Sequence, residues 1–151
     1  IKNQKMRILS FILLTIVLFG FHLSKVVQLS QQIDNRIPIY TEIGKWIAEN
    51  TPLESTIGVQ EVGIIGYYAN RKMVDFAGLI QPEVAKQMKA ETTYQDTAAW
   101  VLENLHPDYI VLIENFFPGS YMEPFTLSCK WIKTFDGKQY SYANMEIYQC
   151  K

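Results

Sequence analysis

The stretch "STIGVQEVGIIGYYANRKMVDFAG" (Ser55–Gly78) decides the fold. It opens with a short β-branched run, Ser55–Gln60, whose composition predicts a buried strand. "EVGIIGYYAN" reads as a short helix or turn, with Asn70 placed to end it in the left-handed conformation. "KMVDFAG" is a second short strand. Strand, helix and strand in immediate succession argue for an α/β layer on a largely parallel sheet.

The flanks extend the same rhythm. Upstream, "DNRIPIYTEIGKWIAENTP" reads as a helix, with Pro38 in its first turn. Ile39, Tyr40, Ile43, Trp46 and Ile47 form its apolar stripe, and Asn50-Thr51-Pro52 stops it. Downstream, "QPEVAKQMKA" starts a helix near Pro82. "TTYQDTAAWVLENLH" is a second helix, capped by Thr92 or Thr93, with Tyr94, Ala98, Val101, Leu102 and Leu105 as its buried stripe. The unbroken run Tyr109–Ile113 is the pattern of a strand covered on both faces. The end departs from the alternation. "CKWIKTF" and "YANMEIYQC", joined by "DGKQYS", read as an antiparallel hairpin. The expected domain is a small three-layer α/β fold with a mixed, mostly parallel sheet and a C-terminal hairpin.

Ahead of this domain lies "ILSFILLTIVLFGFHLSKVV" from Ile8, with no charge before Lys25. That approaches the ~20 apolar residues that carry a helix across ~30 Å of hydrocarbon. Lys2, Lys5 and Arg7 precede it, and Lys25 and Arg36 follow. This bias puts the N-terminal flank in the cytoplasm and the rest of the chain on the extracytoplasmic side of the cell membrane. A cleaved signal peptide would begin similarly, but the flank "FHLSKVVQLS" offers no small-x-small cleavage site. A soluble core helix is the other alternative. The expected organisation is a transmembrane helix with its cytoplasmic flank over residues 1–28 and an extracytoplasmic domain over residues 29–151. A chain that begins with Ile1 and one span also suggests a piece of a longer polypeptide.

Composition supports a folded domain. Of 151 residues, 48% are hydrophobic, enough to build a core. A formal net charge of -1 gives no electrostatic case for nucleic acid as a partner.

The two cysteines, Cys129 and Cys150, sit in the two hairpin arms. They form no CxxC or His-Cys cluster, so no metal site is expected. A tight Asp136-Gly137 turn would set Cys129 opposite Asn144. A longer loop would pair Ile132 with Ile147, Trp131 with Tyr148 and Cys129 with Cys150. The second register matches apolar to apolar and is the one expected, with a disulfide worth about 3 kcal/mol from loop-closure entropy. Two separate thiols are the alternative.

Catalytic signatures are scarce. The sequence holds two histidines and no HExxH, GxSxG, P-loop or GxGxxG pattern. Gly63 and Gly66 form a lone GxxG that helix packing explains equally well. Glu61 and Asp75 fall at the ends of the two predicted strands, where open α/β sheets bind ligands. They could pair for acid/base work. Equally, Glu61 could face a helix dipole, and Asp75 could accept from backbone amides around Ala77–Leu79. The loop "NFFPGSYMEPF" (Asn115–Phe125) carries four aromatics that would suit a headgroup belt, a lipid-linked substrate or the core.

Three pieces of this sequence together resemble a known family. They are the membrane span, then "IGKWIAENTPLESTIGVQEVGIIGYYANRKMVDFAGLIQPEVA", then "HPDYIVL". The pattern is similar to the C-terminal extracytoplasmic region of bacterial GT-C membrane glycosyltransferases, the dolichyl-phosphate-mannose protein mannosyltransferase-like enzymes. It is carried by Asn50-Thr51-Pro52, Gly66-Tyr67-Tyr68 and Asp75-Phe76-Ala77-Gly78-Leu79, and covers about Ile8 to Ile113. The resemblance implies a polyprenyl-phosphate-linked sugar donor, an envelope acceptor, and further spans of the same polypeptide as partners. It places the catalytic acid in a first external loop outside this chain, so no catalytic residue and no cofactor is assigned here. Glu61, Tyr67, Tyr68, Asp75 and Gly78 remain as candidate ligand-binding residues. The expected function is the last span and outer domain of such a transferase, itself non-catalytic. Alternatives are a stand-alone membrane-anchored binding module of the envelope, or a small enzyme using Glu61 and Asp75.

Overall fold

The structure, a computed structural model, describes residues 2–31, 34–114 and 127–150. The chain divides into two compact units, Ile1–Asp34 and Asn35–Lys151.

The first unit holds one helix, α1 (Lys2–Ser30). At 1.5 Å per residue it is about 43 Å long, more than the ~30 Å of a bilayer core. Within Asn3–Ser30 an 18-residue window has mean hydropathy 2.1, and none of it is buried. Its polar side chains bond back to the helix: Thr15 donates to the Phe11 carbonyl and Ser24 to that of Phe21. Such bonds satisfy these two hydroxyl donors within the helix itself, as an apolar surround requires. By length and composition α1 is long and apolar enough to span a membrane.

The second unit is an α/β domain. Its elements run α2 (Arg36–Asn50), β1 (Thr56–Val59), α3 (Val62–Ala69), β2 (Lys72–Asp75), α4 (Pro82–Ala85), α5 (Tyr94–Leu105), β3 (Tyr109–Ile113), β4 (Cys129–Phe135), a 3-10 turn (Lys138–Tyr140) and β5 (Met145–Cys150). One five-stranded sheet has the order β2-β1-β3-β5-β4. It is parallel through β2, β1 and β3 and antiparallel through β3, β5 and β4.

Two apolar layers sandwich the sheet. On one face, Ile39, Tyr40, Ile43 and Ile47 of α2 and Ile65 and Ala69 of α3 pack on Ile57, Val59, Val111 and Ile147. On the other, Val84 of α4 and Ala98, Val101 and Leu102 of α5 pack on Val74, Ile110, Leu112 and Tyr148. Strand β3 alternates between the two cores, which is why its sequence is apolar without interruption.

Close approach sets two glycines. A Cβ on Gly44 of α2 would stand 2.7 Å from Tyr68 Cβ and 2.8 Å from the Ile65 carbonyl oxygen of α3. Backbone cannot yield as a side chain tip can. Gly44→Ala is therefore expected to cost about 2 kcal/mol through overpacking, read as a lower urea midpoint with an unchanged slope. Gly58 in β1 leaves room for the Phe76 ring, which a Cβ would meet at 2.8 Å.

Three sequence expectations change. Tyr94 is 38% exposed, because it is the first residue of α5 and the buried side begins at Thr97 and Ala98. The helix begun by Pro82 is a single turn ending at Ala85. In the hairpin, Cys129 faces Cys150 and Trp131 faces Tyr148, but Ile147 faces Lys133 and not Ile132. A β-bulge at Ile132 causes the shift. Ile132 and Phe135 are three residues apart, so a regular strand would turn them to opposite faces. The extra residue lets both pack on the α2 side of the sheet.

Helix α5 starts with a reciprocal cap. Thr93 Oγ1 accepts from the Asp96 N–H, and Asp96 accepts from the Thr93 N–H at 2.9 Å. The Thr93 hydroxyl, then the Thr93 backbone, hold the Asp96 carboxyl below its usual range. A lowered carboxyl pKa stabilises the fold above the unfolded value, and that contribution is lost as pH falls through the folded one. Thr93→Ala is thus expected to lower the thermal midpoint by a few degrees at neutral pH and by less near pH 3. Paired melting curves at the two pH values check this.

Candidate functional site

The C-terminal ends of the parallel strands converge where β1 runs into α3 and β2 runs into the loop Phe76–Gln81. Val59 of β1 is in register with Asp75 of β2, which places Glu61 and Asp75 at one edge of the sheet.

Asp75 is completely buried. Its Oδ1 accepts the Ala77 N–H at 2.7 Å. Its Oδ2 accepts the N–H groups of Leu79 at 2.6 Å and Ile80 at 3.0 Å. The Asp75 carbonyl takes the Gly78 N–H at 3.3 Å. Gly78 has φ +71°, the left-handed region that favours glycine, and a Cβ there would also meet the Ala85 nitrogen at 2.9 Å. β2 stops at Asp75 because this one carboxylate draws the next five residues round itself. Thr97 of α5 adds a buried bond from its hydroxyl to the Phe76 carbonyl at 2.7 Å. Both oxygens of Asp75 are thus committed to backbone, which leaves no exposed lone pair for acid/base work.

Glu61 precedes α3 without capping it and lies 3.8 Å from Arg36 of α2 in a half-exposed ion pair. Tyr67 and Tyr68 lie in the last turn of α3, toward the other edge of the sheet. Tyr67 is 80% exposed, its ring edge-to-face with Tyr68 at 5.1 Å, and the Lys45 ammonium lies 5.6 Å from the Tyr68 ring centre. So Glu61, Asp75 and Gly78 share an edge, and the tyrosine pair does not join them. The aromatic loop Asn115–Phe125 lies outside the described residues.

Nearby, the hairpin turn ties to α2. Tyr40 and Tyr142 share a hydroxyl–hydroxyl bond of 3.0 Å, and Tyr140 donates to Glu42 at 3.2 Å. Burial, then the Tyr142 bond, hold the Tyr40 hydroxyl well above the usual phenol range, so it remains protonated.

Two features had no reading in the sequence. Arg71 follows the left-handed Asn70 and spreads its guanidinium over the ends of two helices. It donates to the Ala48 and Thr51 carbonyls at 2.8 Å each, to Thr51 Oγ1 at 3.2 Å, and to the Ala69 and Asn70 carbonyls at 3.1 and 3.2 Å. A cation at two helix C-termini satisfies carbonyls that lack intrahelical partners. The available signal was an arginine directly after a helix terminator.

The second is a pocket of about 260 Å³ at the opposite edge, lined by Pro52, Glu54, Ser55, Asp108, Gln149 and Cys150. Asp108 Oδ2 accepts the Thr56 N–H at 2.7 Å and its hydroxyl at 2.8 Å, which pins the starts of β1 and β3 together. The Cys129–Cys150 disulfide, with S–S 2.04 Å, closes this side of the hairpin. Among the described residues no group of His, Cys, Asp and Glu is arranged to hold a metal ion.

No curated protein and no solved structure matches the chain. Residues 27–148 match a domain of unknown function, DUF8728. That span covers most of the sequence, and the chain belongs to the DUF8728 family.

Proposed function

We propose that this chain is the last membrane span and outer domain of a polyprenyl-phosphate-sugar-dependent membrane glycosyltransferase, with the sugar-transfer chemistry carried by other parts of the same polypeptide. The observation that carries this reading is the state of Asp75. The segment most like that enzyme class, Asp75–Leu79, is a self-satisfied structural loop in an α/β domain that follows a span-length helix. The disulfide adds support for an extracytoplasmic location, because such bonds persist in oxidising compartments. The domain would cap the cavity in which a lipid-linked sugar meets its envelope acceptor.

The upstream reading frame tests this. Several further apolar spans and an acidic external loop are expected. A stop codon immediately upstream would overturn it and favour a stand-alone envelope binding module, whose ligand would sit in the Glu54–Asp108 pocket.

A further inference from the structure

The pocket at the sheet edge opposite Asp75 holds a hydroxyl with nothing to bond. Ser55 is 5% exposed and lines this pocket. Its N–H donates to the Pro52 carbonyl at 3.1 Å, but its side-chain hydroxyl has no hydrogen-bond partner among the described residues. No side-chain polar atom among those residues is sealed from solvent without a partner. The Ser55 hydroxyl therefore opens into the pocket that it lines. A largely buried hydroxyl is normally bonded, and here only a group entering the pocket can bond it.

The rest of the lining defines that group. Asp108 gives its Oδ2 to the Thr56 N–H and hydroxyl, which leaves Oδ1 without a partner among the described residues. The side chains of Glu54 and Gln149 line the same pocket, and they too are unbonded among those residues. The described lining includes no Lys, Arg or His. Lys130 stands opposite Gln149 in the ladder but does not line the pocket. Two carboxylates without a cation beside them repel an anionic ligand and attract a cationic one. Among the described residues they belong to no group arranged to hold a metal ion. An ammonium presents three N–H donors, and Glu54, Asp108 Oδ1 and Ser55 Oγ offer it acceptors. Pro52, Tyr109 and the disulfide-bonded Cys150 flank these oxygens and suit a short carbon stem. A volume of about 260 Å³ is ample, since one water needs only ~10–15 Å³.

We infer that this pocket binds a small ligand through a primary ammonium, held by Glu54, Asp108 Oδ1 and the Ser55 hydroxyl. The inference concerns the α/β domain alone, so it depends neither on the span nor on sugar transfer.

The test uses the full chain, disulfide intact, in detergent micelles, with ethanolamine as the probe. Titration is followed by amide NMR at pH 7, where amine and carboxylates are both ionised. The expected result is saturable shifts at Ser55, Thr56 and Asp108, with none at Asp136, an exposed carboxylate at the far end of the hairpin. Ser55→Ala removes a hydroxyl that bonds nothing in the protein, and Glu54→Gln removes a charge at an exposed position. Each is expected to weaken ethanolamine binding about tenfold, the size of one hydrogen bond to a charged group, without moving the melting midpoint. Unchanged binding in either variant overturns the assignment. Equal binding of ethylene glycol shows that charge is not read, and equal binding of tetramethylammonium shows that the N–H donors are not. Either result overturns it. Tighter binding of calcium at the same amides makes the pocket a metal site and also overturns it. So do shifts that are absent, or that spread equally to Asp136.

Discussion

Asp75→Asn is expected to lower the unfolding free energy by about 3 kcal/mol, among the larger effects a single polar substitution produces. The native carboxylate accepts three backbone N–H groups from a fully buried position. A carboxamide of the same shape offers one oxygen and turns an NH2 group toward at least one of those donors. Donor would then face donor in a site closed to water, and the loop from Phe76 to Gln81 would have to open. Asp75→Ala removes every acceptor and is expected to cost at least as much. Urea unfolding in detergent micelles checks both. An Asn variant as stable as the parent would mean that the loop holds itself without the carboxylate.

Arg71→Met is the second large effect, expected at about 2 kcal/mol with the side-chain stem retained. The guanidinium supplies five bonds to oxygens at the ends of α2 and α3. Methionine keeps the apolar contact of the stem and supplies none of them. Arg71→Lys is expected to recover only part of the loss, since one ammonium cannot reach acceptors spread over both helix ends. Hydrogen exchange should then quicken first at the C-termini of α2 and α3. Uniform quickening across the whole domain, with the helix ends no worse than the sheet, would contradict the local role given to Arg71.

These residues also mark how far the sequence could be read. Helices α2 and α5 were legible because apolar stripes and end signals agree, and β3 because a strand covered twice must be apolar throughout. The role of Asp75 was half legible: a short carboxylate before Ala-Gly argues for a turn, and the bond to Ile80 extends the turn one residue beyond Leu79. Strand order was not legible. Placing β5 between β3 and β4 depends on pairings across long loops, which no local pattern encodes. The bulge at Ile132 was readable in principle from the three-residue spacing of Ile132 and Phe135, but apolar matching in a regular ladder obscured it. Arg71 was invisible for a different reason. Its acceptors Ala48 and Thr51 lie on the preceding helix, brought close only when α2 and α3 cross at Gly44.

Length, hydropathy and lack of burial make α1 a helix able to span a bilayer. The transferase reading rests on resemblance and on a domain whose acidic residues at the strand ends serve structure.

The most direct test of that division of labour is sugar transfer by membranes carrying the intact polypeptide, with a polyprenyl-phosphate-linked donor. The parent is compared with Glu61→Gln and Asp75→Asn, each normalised to the folded fraction from its unfolding curve. The expected result is transfer by all three at similar rates per folded molecule, with Asp75→Asn reduced only in the amount that folds. A loss of about 10²-fold or more per folded molecule, the size expected on removing a general acid or base, would contradict it. The strand ends of this domain would then be a site of chemistry.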